Sequence, residues 1–188
     1  MKTYYKLTDE NMQTRGGFQW NLGKWYETSG EGELCNAGWF HVYTDPLLAM
    51  LLNPIHANFA KPGLFEAECE GSEKHDHGLK VGVSRIRITK ELPLPDISVN
   101  QQVAFGILCA KQLYAKSVWN RWADDWLNNI NRGQAAAAAA WAAAEAEAEA
   151  AAAWAAEAAA DAAAKPGFDL IALAEEAMKE ATDGHQTQ

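Results

Sequence analysis

Leu64-Phe-Glu-Ala-Glu-Cys-Glu70 and Val81-Gly-Val-Ser-Arg-Ile-Arg-Ile-Thr89 are the stretches whose reading decides the fold. In the first, Phe65, Ala67 and Cys69 alternate with Glu66, Glu68 and Glu70. Successive side chains of a strand point to opposite faces, so the alternation predicts a half-buried strand with a charged outer face. In the second, Val81 and Val83 fall on one face and Ile86 and Ile88 on the other. The change of face near Ser84 predicts a bulge, because one extra residue flips every later side chain. The intervening residues 72–78 are polar and read as a loop.

Upstream, residues 3–8 alternate like a strand, residues 9–12 are turn-like, and residues 13–20 read as a second strand. Gly16-Gly17 inside it suggests a bulge or a close backbone approach. Residues 23–27 form a third short strand, and the Asn36-Ala-Gly38 turn is flanked by residues 34–35 and 39–43. Thr44 or Asp45 caps a short helix with Pro46 at its first position, and Pro54 ends it. Residues 56–63 read as a loop. Residues 1–95 therefore predict an α+β domain, a small and mostly antiparallel sheet with a short helix, and Leu92-Pro-Leu-Pro95 is an extended linker.

An all-helical C-terminal half is expected to follow. Over 96–133, helix begins at Asp96 or Ser98, and Val103, Ile107, Leu108, Val118, Trp119, Trp122 and Trp126 recur at helical spacing. Trp119, Trp122 and Trp126 make one aromatic stripe, read as core that docks on the sheet or on the next helix. Residues 134–165 predict a long Ala-rich helix. Its core, residues 135–164, holds 23 Ala, four Glu, one Asp and two Trp without Gly or Pro, beyond the roughly 12–15 residues at which an isolated helix is marginal. Such a rod would span roughly 45 Å. Over 166–188, Asp169 caps a last amphipathic helix that Gly184 ends, with a frayed terminus.

On the rod, Glu145, Glu149, Glu157, Asp161 and Glu147 fan from roughly 40° to roughly 240° around the axis from Trp141, with Trp154 among them. The opposite face is Ala centred near Trp141, fit for close packing against another helix. The acidic face is fit for a basic partner. Glu145 with Glu149 and Glu157 with Asp161 are like-charge neighbours that weaken the helix slightly, so stability did not select the pattern. A low-complexity expansion is the third reading.

The net charge of −9 is uneven: residues 134–188 hold 10 acids against 2 Lys, whereas residues 1–133 hold 15 against 14 Lys and Arg. A near-neutral domain argues against direct nucleic-acid binding, which needs a cationic surface. A negative rod could instead imitate nucleic acid toward a basic protein. Met1-Lys2 runs into polar residues without a signal-peptide pattern, and the Ala tract is too weakly apolar for a membrane span. Cys35, Cys69 and Cys109, odd in number and widely spaced, suggest a reduced, cytoplasmic chain.

Gly17-Phe18-Gln19-Trp20, Gly23-Lys24-Trp25-Tyr26-Glu27, Glu33-Leu34-Cys35, Gly38-Trp39-Phe40-His41 and Pro46 together resemble an uncharacterised bacterial and phage domain family. Its pattern runs G-F-Q-Y, G-K-x-Y, L-C-x-x-G-F-H-A-C, N-P. The likeness covers roughly residues 3–91. Members often continue into Ala-rich, Trp-punctuated tails, as this chain does. Here Val42-Tyr43 stands where the family has A-C, and Trp39 is additional. The resemblance implies a phage or prophage origin and a small α+β domain, and it implies no mechanism.

For chemistry, His41 lies within that motif string near Tyr43, with Tyr26, Arg15 and Gln19 as the further binding candidates. Gly-x-Phe-His before a short helix and a Phe-x-Ala-x-Cys strand is distantly similar to ADP-ribosyltransferase-type domains, where such a turn lines an NAD pocket and a later Glu orients the ribose. Glu66, Glu68 or Glu70 would fill that role. A structural His at the sheet edge is the simpler account. Cys35 as nucleophile would need His41 as its base. His75-Asp76-His77 reads as an exposed loop, since a metal site needs three or four ligands and no second half is visible. No cofactor-binding signature is present.

The function expected from these features is that of a non-catalytic, phage- or prophage-type accessory protein. It would engage a protein partner, itself or a host protein, through its helical tail, with Trp141, Trp154, Glu145, Glu149, Glu157 and Asp161 on the partner or packing face. An NAD-binding domain and an acidic decoy of a nucleic-acid-binding host or defence protein are the alternatives.

Overall fold

Two long strands, β6 (Gly63–Asp76) and β7 (Lys80–Leu92), pair antiparallel in the computed structural model and carry the rest of the first unit. Residues 2–113, 117–130, 159–160 and 167–180 are described, and the chain divides into units Met1–Pro95 and Asp96–Gln188. The polar stretch expected to be a loop is strand: Glu73, Lys74, His75 and Asp76 lie opposite Val83, Gly82, Val81 and Lys80. Alternation fails as a signal there because four polar residues in a row hide the period of two. The true turn is shorter, with His77 and Gly78 at φ 45° and 86° and Leu79 N–H donating to Asp76 O at 2.7 Å.

The bulge read near Ser84 sits on the partner strand. Glu70 faces Arg85 and Glu73 faces Val83, so Gly71 and Ser72 together oppose Ser84. Gly71 has φ 82°, a Cβ there would collide with Ser84 Oγ, and that oxygen accepts from Ser72 N–H at 2.9 Å. The extra residue changes the phase of the pleat. Val81 and Val83 share one buried cluster with Ile86 and Ile88, which strict alternation along β7 would have split.

With this corner and a second register shift at Glu66/Ala67, the sheet curls. The strand β1 (Tyr4–Thr8) pairs with β6. On the other edge of β7 lie β4 (Trp25–Glu27), opposite Arg85–Arg87, and β5 (Phe40–Val42), opposite Val81–Val83. Tyr5 and Tyr43 exchange backbone hydrogen bonds of 2.9 and 2.8 Å, joining β1 to β5 and closing the ring β1–β6–β7–β5. Tyr4, Val42, Phe65, Ala67, Val81, Val83, Ile86 and Ile88 share its buried core with Trp20.

Trp20 enters from a small hairpin, where one strand was expected. The strands β2 (Gln13–Thr14) and β3 (Phe18–Gln19) pair across a 3-10 turn over Arg15–Gly17. Gly16 and Gly17 have φ 75° and 73°, and nothing lies within 4 Å of a Cβ at either. Glycine is required there for the turn conformation, not for a close approach.

Outside the ring, α1 (Pro46–Leu51) starts at Asp45, whose carboxylate accepts from the N–H groups of Leu47 and Leu48. The carboxylate answers two of the unpaired donors at the helix start. Pro54 does not end the helical run; it begins α2 (Asn53–His56), where its missing N–H costs nothing. Leu48, Ala49, Leu51 and Leu52 are buried, as are Leu7 and Leu64, making a second apolar layer on β1, which α1 contacts.

In the second unit, α3 (Val99–Leu113) begins with a reciprocal cap: Ser98 N–H donates to Gln101 Oε1 and Gln101 N–H to Ser98 Oγ. Gln101 Nε2 also donates to the carbonyls of Met178 and Glu180. These follow α5 (Leu170–Ala177), which Asp169 caps and which stops short of the expected Gly184. In α4 (Ser117–Leu127) the expected Trp stripe divides, Trp126 being buried and Trp122 43 % exposed. The fold is thus α+β: an antiparallel sheet with several helices. Apart from the helical Ala159 and Ala160, residues 131–166 lie outside the described residues, and the expected Ala-rich helix with them. Among the described residues no helix is long and apolar enough to cross a membrane.

The Gly71 corner generates a prediction. Gly71→Ala should destabilise the first unit by at least about 2 kcal/mol, from an unfavourable φ and the Ser84 collision, read as a lower midpoint in urea at unchanged slope.

Candidate functional site

Lys6 follows Tyr4 on the inward side of β1, and only 7 % of it is exposed. Its ammonium donates to His41 O at 2.8 Å and lies 5.0 Å from the centre of the Trp20 ring. Burial, which penalises the charged form, pulls its pKa down to about 8. Tyr4 closes the same interior by donating to Glu73 Oε1 at 2.6 Å, and burial with that bond raises its pKa.

His41 faces the opposite way. Its Nε2 donates to Leu34 O at 2.5 Å, which fixes the tautomer and leaves Nδ1 as acceptor. Burial, opposed by that bond and assisted by the charges of Lys6 and Lys80, lowers its pKa and keeps the ring neutral at pH 7. Two residues on, the buried Tyr43 hydroxyl is 3.2 Å from Nδ1 of His56, and the rings stack at 5.8 Å. Burial, then the Lys80 charge, pushes His56 down to about 4, so at pH 7 its Nδ1 is free to accept the Tyr43 proton.

Residues 29–39 cover this side of the β6–β7 hairpin. Leu34 and Trp39 pack on Gly82, where a Cβ would strike Leu34. Lys74 Nζ and Trp39 Nε1 both donate to Gly32 O, at 3.0 and 3.2 Å. Cys35, which follows Leu34, is exposed, with Lys80 Nζ 3.6 Å from its sulfur and Asp76 Oδ2 3.7 Å from the same amine. His41 is therefore not the group that meets Cys35; its Nε2 is taken by Leu34 O, and the amine of Lys80 stands at the sulfur.

The remaining candidates lie elsewhere. Gln19 donates to Asn11 O, Met12 O and Trp20 O and accepts from Gln13, so both ends of its amide hold the hairpin. Tyr26 accepts from Asn21 and donates to Gln19 O. Its ring joins Phe18, Trp20 and Phe40 in a box with centroids 4.9–5.6 Å apart. Arg15 is exposed on the hairpin turn. The geometry thus pairs Tyr43 with His56, while His41 bonds to Leu34, and Tyr26 and Gln19 bond within the hairpin side.

Of the three glutamates, Glu68 and Glu70 pair with Arg87 and Arg85, whose guanidiniums lie over Trp25. Glu66 alone shares a row with Tyr5 and Tyr43, two strand spacings or about 10 Å from Tyr43. Lys6, His56, Asp76 and Lys80 were missed as neighbours of His41. The inward position of Lys6 was readable from its spacing to Tyr4; the others depend on pairing across the chain. Trp141, Trp154, Glu145, Glu149, Glu157 and Asp161 lie outside the described residues. Among the described residues no group of three His, Cys, Asp or Glu is placed to hold a metal ion.

A family model described as a domain of unknown function (DUF7666) matches residues 2–100, just over half of the chain. No curated protein and no solved structure matches it significantly.

Two titrations test these assignments. The Lys6 amine holds its proton in the unfolded chain up to about 10.5 but loses it near 8 when folded. Its penalty is therefore full below pH 8 and fades as pH rises to 10.5. Lys6→Met should be more stable than the parent by about 1–3 kcal/mol at pH 7, with the difference shrinking across that window in denaturation curves. For His56, folded about 4 against 6.5 unfolded, stability is full above pH 6.5 and falls toward pH 4. Against a His56→Gln reference, the parent should lose about 2 kcal/mol more over that range.

Proposed function

Since this chain belongs to the DUF7666 family, whose function is unknown, we propose that it acts by binding a protein partner rather than by catalysis. The observation that carries this reading is the charge division: 10 acids against 2 Lys in residues 134–188, beside a nearly balanced remainder. The curled sheet is the anchor, and the long Ala-rich helix, the core of an all-helical second half, presents Glu145, Glu147, Glu149, Glu157 and Asp161 to a basic surface. The state of the motif residues supports it, because the Gln19 amide, the Tyr26 and Tyr43 hydroxyls and Nε2 of His41 bond to the fold itself.

The setting that fits is a phage or prophage protein in the cytoplasm of its host cell, with a host or defence protein, or a second copy of this chain, as partner. Where that partner normally binds nucleic acid, the acidic segment competes for the same surface. The test is capture from host lysate with the full chain, a version ending at Gly133, and one with the five acids changed to Gln. The full chain should retain a basic partner at low salt, and both variants should lose it at least tenfold. Equal capture by all three, or none by the full chain, overturns the reading.

A further inference from the structure

Cys35 and Lys80 are far apart in sequence, and the fold sets Sγ and Nζ 3.6 Å from each other. The lysine side chain is only 11 % exposed, so little freedom remains for the amine to swing away. The sulfur is exposed and reachable from solvent. Asp76 Oδ2, 3.7 Å from Nζ, is placed to take up a proton that the amine releases. We propose that Cys35 and Lys80 form an oxidative cross-link, a modification site whose co-substrate is a peroxide.

In the first step the sulfur attacks one peroxide oxygen, the O–O bond breaks, and the departing hydroxide takes the thiol proton as water. Cys35 is then a sulfenic acid. In the second, the Lys80 amine, having given a proton to Asp76 or solvent, attacks the sulfur. The S–N bond forms, the S–O bond breaks, and hydroxide leaves, taking up protons as water. One thiol, one amine and one peroxide give one sulfenamide and two waters; sulfur is oxidised by two electrons and the peroxide reduced by two. With a second peroxide equivalent the O–O and S–N bonds break, S–O and O–N bonds form, the link is oxidised by two more electrons, and a third water leaves.

The site is selective within the chain. Burial pushes the thiols of Cys69 and Cys109 up to about 12, leaving almost no thiolate to react. The link would fasten residues 29–39 to β7 beside Gly82 and His41. It does not depend on the partner-binding reading.

The experiment treats the full chain with hydrogen peroxide and follows intact mass, then tryptic peptides before and after a thiol reductant. Expected is a chain lighter by two hydrogens, or that mass plus one oxygen. Trypsin should no longer cut after Lys80, the peptides carrying Cys35 and Lys80 should be joined, and reductant should undo the change. Lys80→Arg keeps the charge but should abolish the link and leave Cys35 to collect oxygens; Cys35→Ser should give neither. Oxygen addition or intermolecular disulfides at Cys35 with Lys80 still cleaved in the parent chain would overturn the proposal, as would a link that persists in Lys80→Arg.

Discussion

Two backbone hydrogen bonds between Tyr5 and Tyr43 turn a curved sheet into a ring. An open sheet leaves two edges of unpaired amides and carbonyls, and closure removes them along the joined strands. It also encloses an interior, which Trp20, Tyr4, Phe65 and the four β7 aliphatics occupy. Curvature is the condition for all of this. It accompanies two register shifts, at Glu66/Ala67 and where Gly71 and Ser72 stand opposite Ser84, the second of them made by a glycine at positive φ.

The interior is not wholly apolar, and its one amine explains the state of the wall. Lys6 keeps its proton at pH 7 by leaning on the His41 carbonyl and the Trp20 ring. The imidazole of the same residue holds Leu34 on the outside. His41 thus ties together both surfaces of β5, its peptide to the core and its ring to the covering loop. A strand of three residues with a duty on each side has little tolerance for exchange at its centre.

Much of this was legible in the sequence wherever the controlling contacts are local. The alternation of Phe65, Ala67 and Cys69 found β6, the change of phase near Ser84 found the corner, and the aspartates at 45 and 169 announced their helices. The run from Glu73 to Asp76 was misread because its side chains are polar on both faces, whereas a ladder is made by the backbone. Pro54 was taken as a stop when its geometry also suits a start. Closure through Tyr5 and Tyr43, and the meeting of Lys80 with Cys35, depend on pairing between distant segments, for which no periodicity exists. The string Gly-Phe-Gln-Trp, Gly-Lys-Trp-Tyr and Gly-Trp-Phe-His is accounted for by turns, an aromatic box and one wall hydrogen bond.

The ring also orders events during synthesis. Tyr4 needs Ala67, and the corner that aligns them needs Ser84. The strand β1 therefore stays without its β6 partner until residues 63–67 have been made. Non-local pairing of this kind is slow and leaves sticky edges uncovered in the interval.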